Sequence, residues 1–119
     1  MASLFISYSH AESELAHTLS ADLEKVGHKA WIDFAGIRGG QHWISEIDLA
    51  IRACDFFLLL FSENSLRSDW VERETILALN INKPVILLIC DDTRIPVHLV
   101  ICPHLNIQDY ERAFSELSA

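Results

Sequence analysis

Residues 55–61 (DFFLLLF) and 84–90 (PVILLIC) are apolar almost throughout, with no polar residue at every second place. A strand with one wet face alternates, so unbroken runs of this length suit parallel strands covered on both faces. That requirement excludes most alternatives. The chain needs helices above and below a parallel sheet, and parallel strands need a crossover between each pair. Both runs fall far short of the roughly 20 residues that cross a bilayer, so no membrane span is expected.

The remaining segments supply the helices and further strands. Residues 3–8 (SLFISY) read as a first strand, followed by Ser9 and Glu12 in the S-x-x-E relation of a capping box. Leu15, Leu19, Leu23 and Val26 then recur at helical spacing up to Gly27. Residues 29–34 (KAWIDF) form the second strand and open into a loop over 35–42 (AGIRGGQH) containing the adjacent Gly39 and Gly40. A second helix follows over about 43–53, with Ile44, Ile47, Ile51 and Cys54 on one side. Residues 91–96 read as a polar turn, 99–102 as an ambiguous apolar patch, 104–108 as a short fifth strand and 110–117 as a last helix. Strand alternating with helix gives an α/β fold: a flavodoxin-like, doubly wound, five-stranded parallel sheet in the order 2-1-3-4-5. At 119 residues the chain reads as one domain over 1–119 with one core.

Seventeen acidic against nine basic residues give a net charge of −8, which argues against nucleic acid as a direct partner because phosphate backbones demand a basic footprint. Cys54, Cys90 and Cys102 are odd in number, have no CxxC spacing and sit in or beside apolar runs. They read as buried thiols of a reducing, cytoplasmic setting. His98, Cys102 and His104 fit no familiar zinc spacing, so no metal is expected. The opening residues MASLFISYSH lack the basic region and longer apolar stretch of a signal peptide.

Between the two apolar runs lies FSENSLRSDWVERETILALNI, residues 61–81. At about 100° per residue from Trp70, Glu74 falls near 40°, among Ile81, Ala78, Val71 and Leu77, whereas Glu72 falls near 200° on the far side. A carboxylate on a core-facing stripe costs several kcal/mol unless it is partnered, so it needs a reason. Glu74 could pair with an arginine or cap a loop; it is also the first candidate for chemistry. Trp70, one turn earlier on the same face, could be core or could wall a site. In doubly wound sheets ligands bind beyond the carboxyl ends of the strands where connections diverge. Here that point lies between the first and third strands, at Tyr8, Ser9 and His10 and at Ser62, Glu63 and Asn64. Glu74 can line the same crevice and the Gly39–Gly40 loop can fold over it.

FISYSH, WIDFAGIRGGQHW and FSENSLRSDWVERE occur in order, and the chain closes with YERAFSEL. In these motifs and over essentially its whole length the chain resembles the Toll/interleukin-1 receptor (TIR) domains, with residues 36–40 (Gly36, Ile37, Arg38, Gly39, Gly40) at the family's BB loop. Ser68, Trp70 and Glu74 match its S-x-W-x-x-x-E pattern. In NAD-cleaving members the glutamate at this place is catalytic. The resemblance therefore implies an NAD+ nucleosidase that releases nicotinamide and leaves ADP-ribose or a cyclic form, with NAD+ as substrate and no cofactor. It further implies Glu74 as the catalytic residue, with Trp70, Tyr8, Phe34, Ser9, His10, Arg38 and Ser62 as substrate contacts. Trp70 could stack on nicotinamide or its ribose, and Tyr8 or Phe34 could cover a ring. Backbone N–H groups at the start of the first helix, near Ser9 and His10, could meet the diphosphate, with Arg38 as the nearest cation. The ordinary alternatives are Tyr8 as core, Ser9 as a cap and Arg38 as a solvated loop charge, and many relatives carry a basic residue where this chain has Ser9 or His10. Activation by self-assembly into a homo-oligomer or filament through residues 36–40, a sensor domain or activating partner, and a role in antiphage innate immunity follow from the same likeness.

The competing expectation is a non-catalytic TIR scaffold that signals by TIR–TIR association, for which Ile76 and Leu79, opposite Glu74 on the helix, would offer apolar contacts. A response-regulator receiver would need an acidic pair after the first strand and an aspartate ending the third, where this chain has Ser7-Tyr8-Ser9 and Phe61-Ser62. A flavodoxin would need a hydroxyl- and glycine-rich loop where this chain has SHAESE.

Overall fold

The apolar runs lie at the centre of the sheet because both of their faces are covered. The computed structural model describes residues 2–32 and 41–118, the side chains of 41–44 excepted. Five parallel strands, β1 (Ser3–Ser7), β2 (Lys29–Ile32), β3 (Phe56–Phe61), β4 (Val85–Ile89) and β5 (His104–Asn106), stand in the order β2-β1-β3-β4-β5. The helices are α1 (Ser13–Lys25), α2 (Gln41–Ala53), the single-turn α3 (Glu63–Leu66), α4 (Asp69–Asn80) and α5 (Tyr110–Ser118). This is the expected fold class and strand order.

Strand parity divides the core into two layers. Phe5, Phe57, Leu59, Phe61 and Leu87 face one way and pack with Ile47 and Ile51 of α2 and Val71 and Ala78 of α4. Leu4, Ile6, Leu58, Leu60 and Leu88 face the other way onto Ala16, Leu19 and Leu23 of α1 and Ala113 of α5. Phe5 and Phe57, opposite one another in the β1–β3 register, stack at a centroid distance of 5.5 Å. Ser7, two residues beyond Phe5, faces the α2/α4 layer as the last residue of its strand.

Local expectations are refined in three places. Ser9 and Glu12 do not form a capping box; a 3-10 turn over His10–Glu12 precedes α1, and the Ser9 hydroxyl donates to the Glu12 carboxylate at 2.6 Å rather than accepting a backbone N–H. The polar turn after β3 holds α3, capped by Ser62, whose side chain accepts from Ser65 N at 3.0 Å. Residues 97–101 form turns, with Leu99 buried and Ile101 89% exposed, which resolves the ambiguous patch. Gly27 ends the α1 segment at φ 96°, a left-handed value that glycine adopts without a Cβ clash.

Candidate active site

Ser68 starts α4 by accepting the Val71 N–H on its hydroxyl at 3.2 Å, and that start fixes the helix rotation. Val71, Glu74, Thr75 and Ala78 consequently face inward, while Glu72 and Arg73 are exposed. Glu74 is 4% exposed. Its Oε1 accepts the Ser7 hydroxyl at 2.6 Å and its Oε2 accepts the Trp70 indole N–H at 2.9 Å. Each oxygen thus has a fixed donor. Charge-assisted bonds of this kind offset the cost of taking a carboxylate out of water.

The acid opens on a cavity of about 160 Å³ between α2 and α4, lined by Ile47, Ile51, Leu77, Trp70 and Glu74, with Asp48 and Arg73 at its polar end. Asp48 is paired with Arg52 at 3.0 Å. A larger hollow of about 490 Å³ lies along β2 and α2, but none of its described lining residues is a buried polar side chain. Size alone does not select a site. An aliphatic and aromatic wall with a buried carboxylate in it suits a flat ring carrying, or about to leave behind, positive charge.

The other expected residues fall into three groups. Tyr8 packs with the α1/α5 layer, across the sheet from Glu74. Ser9 and Ser62 are brought together at the carboxyl ends of β1 and β3, but around Glu12. Its Oε1 accepts both hydroxyls, at 2.6 and 2.7 Å, and its Oε2 meets the Asn64 amide at 3.4 Å. Glu12 thus holds both hydroxyls, and His10 is exposed in the adjoining turn. Phe34, Arg38 and the rest of residues 36–40 lie outside the described residues. Of the expected set, the described geometry joins Trp70 directly to Glu74, and Ser9 to Ser62 through Glu12.

Ser7 was not singled out by its sequence. The available signal was parity: a serine two places beyond Phe5 faces the same buried layer. The spacing of Ser9 and Glu12 reads as a helix cap, and the meeting of Glu12 with Ser62, fifty residues away, is invisible to local spacing. The thiol of Cys90 is pushed up to about 12, by burial first and then by the charges of Glu12 and Asp91. Cys54 and Cys102 are buried thiols also raised by burial, whereas Cys90 is only partly covered. Among the described residues no group of His, Cys, Asp and Glu comes together that could hold a metal, and no helix is long and apolar enough to cross a membrane.

A five-stranded doubly wound domain with a tryptophan-bound carboxylate buried beside its first strand is the class defined by these features. The TIR domain family model matches residues 4–118, and the chain belongs to that family. In structure it is similar to the TIR domain of the Toll-related receptor TRR-2 from Hydra magnipapillata, at 17% identity and a TM-score of 0.78, covering 98% of this chain and 94% of that one. A prokaryotic SEFIR domain follows at 18% identity and 0.74, covering 99% and 90%. A CMP N-glycosidase from Clostridium botulinum shares the fold at 16% identity and 0.67, covering 98% and 99%. No curated protein matches by sequence.

Proposed function

We propose that this TIR domain is an NAD+ nucleosidase in which Glu74 is the catalytic carboxylate. The observation that carries the reading is the buried acid, held on both oxygens by Ser7 and Trp70, at an apolar cavity between α2 and α4. Nicotinamide enters as a pyridinium cation and leaves neutral. As the ribose C1′–N bond breaks, its electron pair goes to the ring nitrogen, so no acid need protonate the leaving group. Positive charge develops on the ribose instead, and a preorganised carboxylate stabilises it more than it stabilises the ground state. Water then adds at C1′ and yields its proton to the carboxylate or to solvent, giving ADP-ribose; attack by a nitrogen of the adenine gives a cyclic form. Trp70 supplies one wall of the ring site. The fold of an N-glycosidase acting on CMP is the same, which supports N-glycosyl cleavage as a chemistry for this sheet.

Self-assembly through residues 36–40, a sensor or activating partner, a cytoplasmic location and a part in antiphage defence belong to the same reading. The test is nicotinamide release from NAD+ by concentrated protein, wild type against Glu74→Gln and Glu72→Gln. Loss in the first alone supports the reading; equal activity in all three, or none in the wild type under assembling conditions, overturns it.

A scaffold role is the second reading, favoured by exposed apolar side chains on the far side of α4 and in the turn between β4 and β5: Ile76 is 47% exposed and Val97 86%. Leu79, expected beside Ile76, is partly buried against the α2/α4 layer. A folded, self-associating chain that leaves NAD+ intact would establish that role.

A further inference from the structure

The geometry points to Ser7 as a positioning residue for Glu74, an inference that rests on the functional reading above. Ser7 ends β1 in a place with no solvent access, on the face of Phe5, where its register partner is Leu59. A hydroxyl in such surroundings is costly unless bonded. It donates to Glu74 Oε1 at 2.6 Å, a short contact of the kind made to an ionised acceptor. Trp70 is one turn from Glu74 on the same helix, so its indole N–H can follow α4 wherever that helix moves. Ser7 is different. It belongs to an inner strand, sixty-seven residues away, and ties the carboxylate to the hydrogen-bonded sheet.

Two consequences follow. The plane of the carboxylate is set by a strand and a helix together, which fixes the acid in the cavity lining for the developing ribose cation. The hydroxyl also stabilises the ionised acid, so Ser7 extends the pH range over which Glu74 is an anion. Ser7 touches no substrate in this scheme and acts through Glu74.

The experiment compares wild type, Ser7→Ala and Ser7→Cys for nicotinamide release as a function of pH, with thermal unfolding as the check on folding. The alanine variant should lose about ten- to a hundredfold in kcat with KM within about twofold, the size expected for one bond to a charged group. The acid limb of its kcat profile should move to higher pH by about one unit. Cysteine, close in shape but a weaker donor, should fall between the two. A parallel readout needs no activity: carboxyl carbon-13 NMR of glutamate-labelled protein should show the Glu74 signal titrating at higher pH in Ser7→Ala. A folded Ser7→Ala with wild-type kcat, acid limb and titration would overturn the assignment while leaving the nucleosidase reading intact. Absence of turnover in the wild type would sink that reading, and the NMR titration would still decide whether Ser7 stabilises the anion.

Discussion

Glu74 and Glu12 sit at the same end of the sheet, and each accepts a serine hydroxyl at 2.6 Å. Their surroundings separate them. Glu74 is buried on the α2/α4 face, where its partners are a strand end and an indole and a cavity lies beside it. Glu12 is half-buried in the 3-10 turn before α1, and its hydroxyl and amide partners lace the turn after β1 to the turn after β3. One carboxylate is held with room in front of it. The other is spent on a staple across the point where a doubly wound sheet usually takes its ligand. A short hydrogen bond to a serine is common to both; what distinguishes Glu74 is its burial on the α2/α4 face beside a described cavity.

The contrast breaks most clearly on activity. Glu74→Gln should lower nicotinamide release by about a thousandfold, the range seen when a charge-stabilising group is removed from an active site, while Glu12→Gln should stay within about threefold when assayed on folded protein. Comparable losses in both would erase the distinction. Trp70→Phe keeps the ring and deletes the N–H, and should cost about ten- to a hundredfold in kcat; a change confined to KM would make Trp70 a binding wall alone. Glu12→Gln should instead appear in chemical denaturation as a loss of about 1–2 kcal/mol, because the serine bonds to the staple lose their charge assistance. An unchanged midpoint would make the staple ornamental.

The smallest effect concerns Cys90, which is held near 12 first by burial and then by Glu12 and Asp91. The thiolate is the reactive form, so alkylation of the folded protein should be slow at pH 8 and accelerate as pH rises toward that value. Glu12→Gln removes one negative charge and should speed it severalfold at fixed pH. The same raised thiol binds its proton more tightly in the folded state than in the unfolded chain. Its contribution to stability is therefore complete below about pH 9 and declines as pH climbs toward 12.

Much of the architecture was legible because its signals are local. Unbroken apolar runs marked β3 and β4, the i, i+4 recurrence of leucines marked α1, and a helical wheel turned Glu74 inward and Glu72 outward. The site was only half legible. Trp70 and Glu74 share a helix turn, and their bond follows from spacing; Tyr8, Ser9 and Ser62 were grouped by nearness to one end of the sheet, which ignores which face a strand end presents. Tyr8 then lies with the α1/α5 layer, and Ser9 and Ser62 are taken by Glu12.

The amino-acid order by itself determined the strand and helix alternation, the depth of the two central strands and the inward aim of one glutamate, because each depends on periodicity within a few turns of chain. Only the tertiary structure decided that Ser7 reaches Glu74 and that Glu12 closes the gap between β1 and β3. Both contacts join residues at least fifty positions apart, and they exist because the parallel register and the packing of α4 on the sheet bring those side chains to one face at hydrogen-bonding distance.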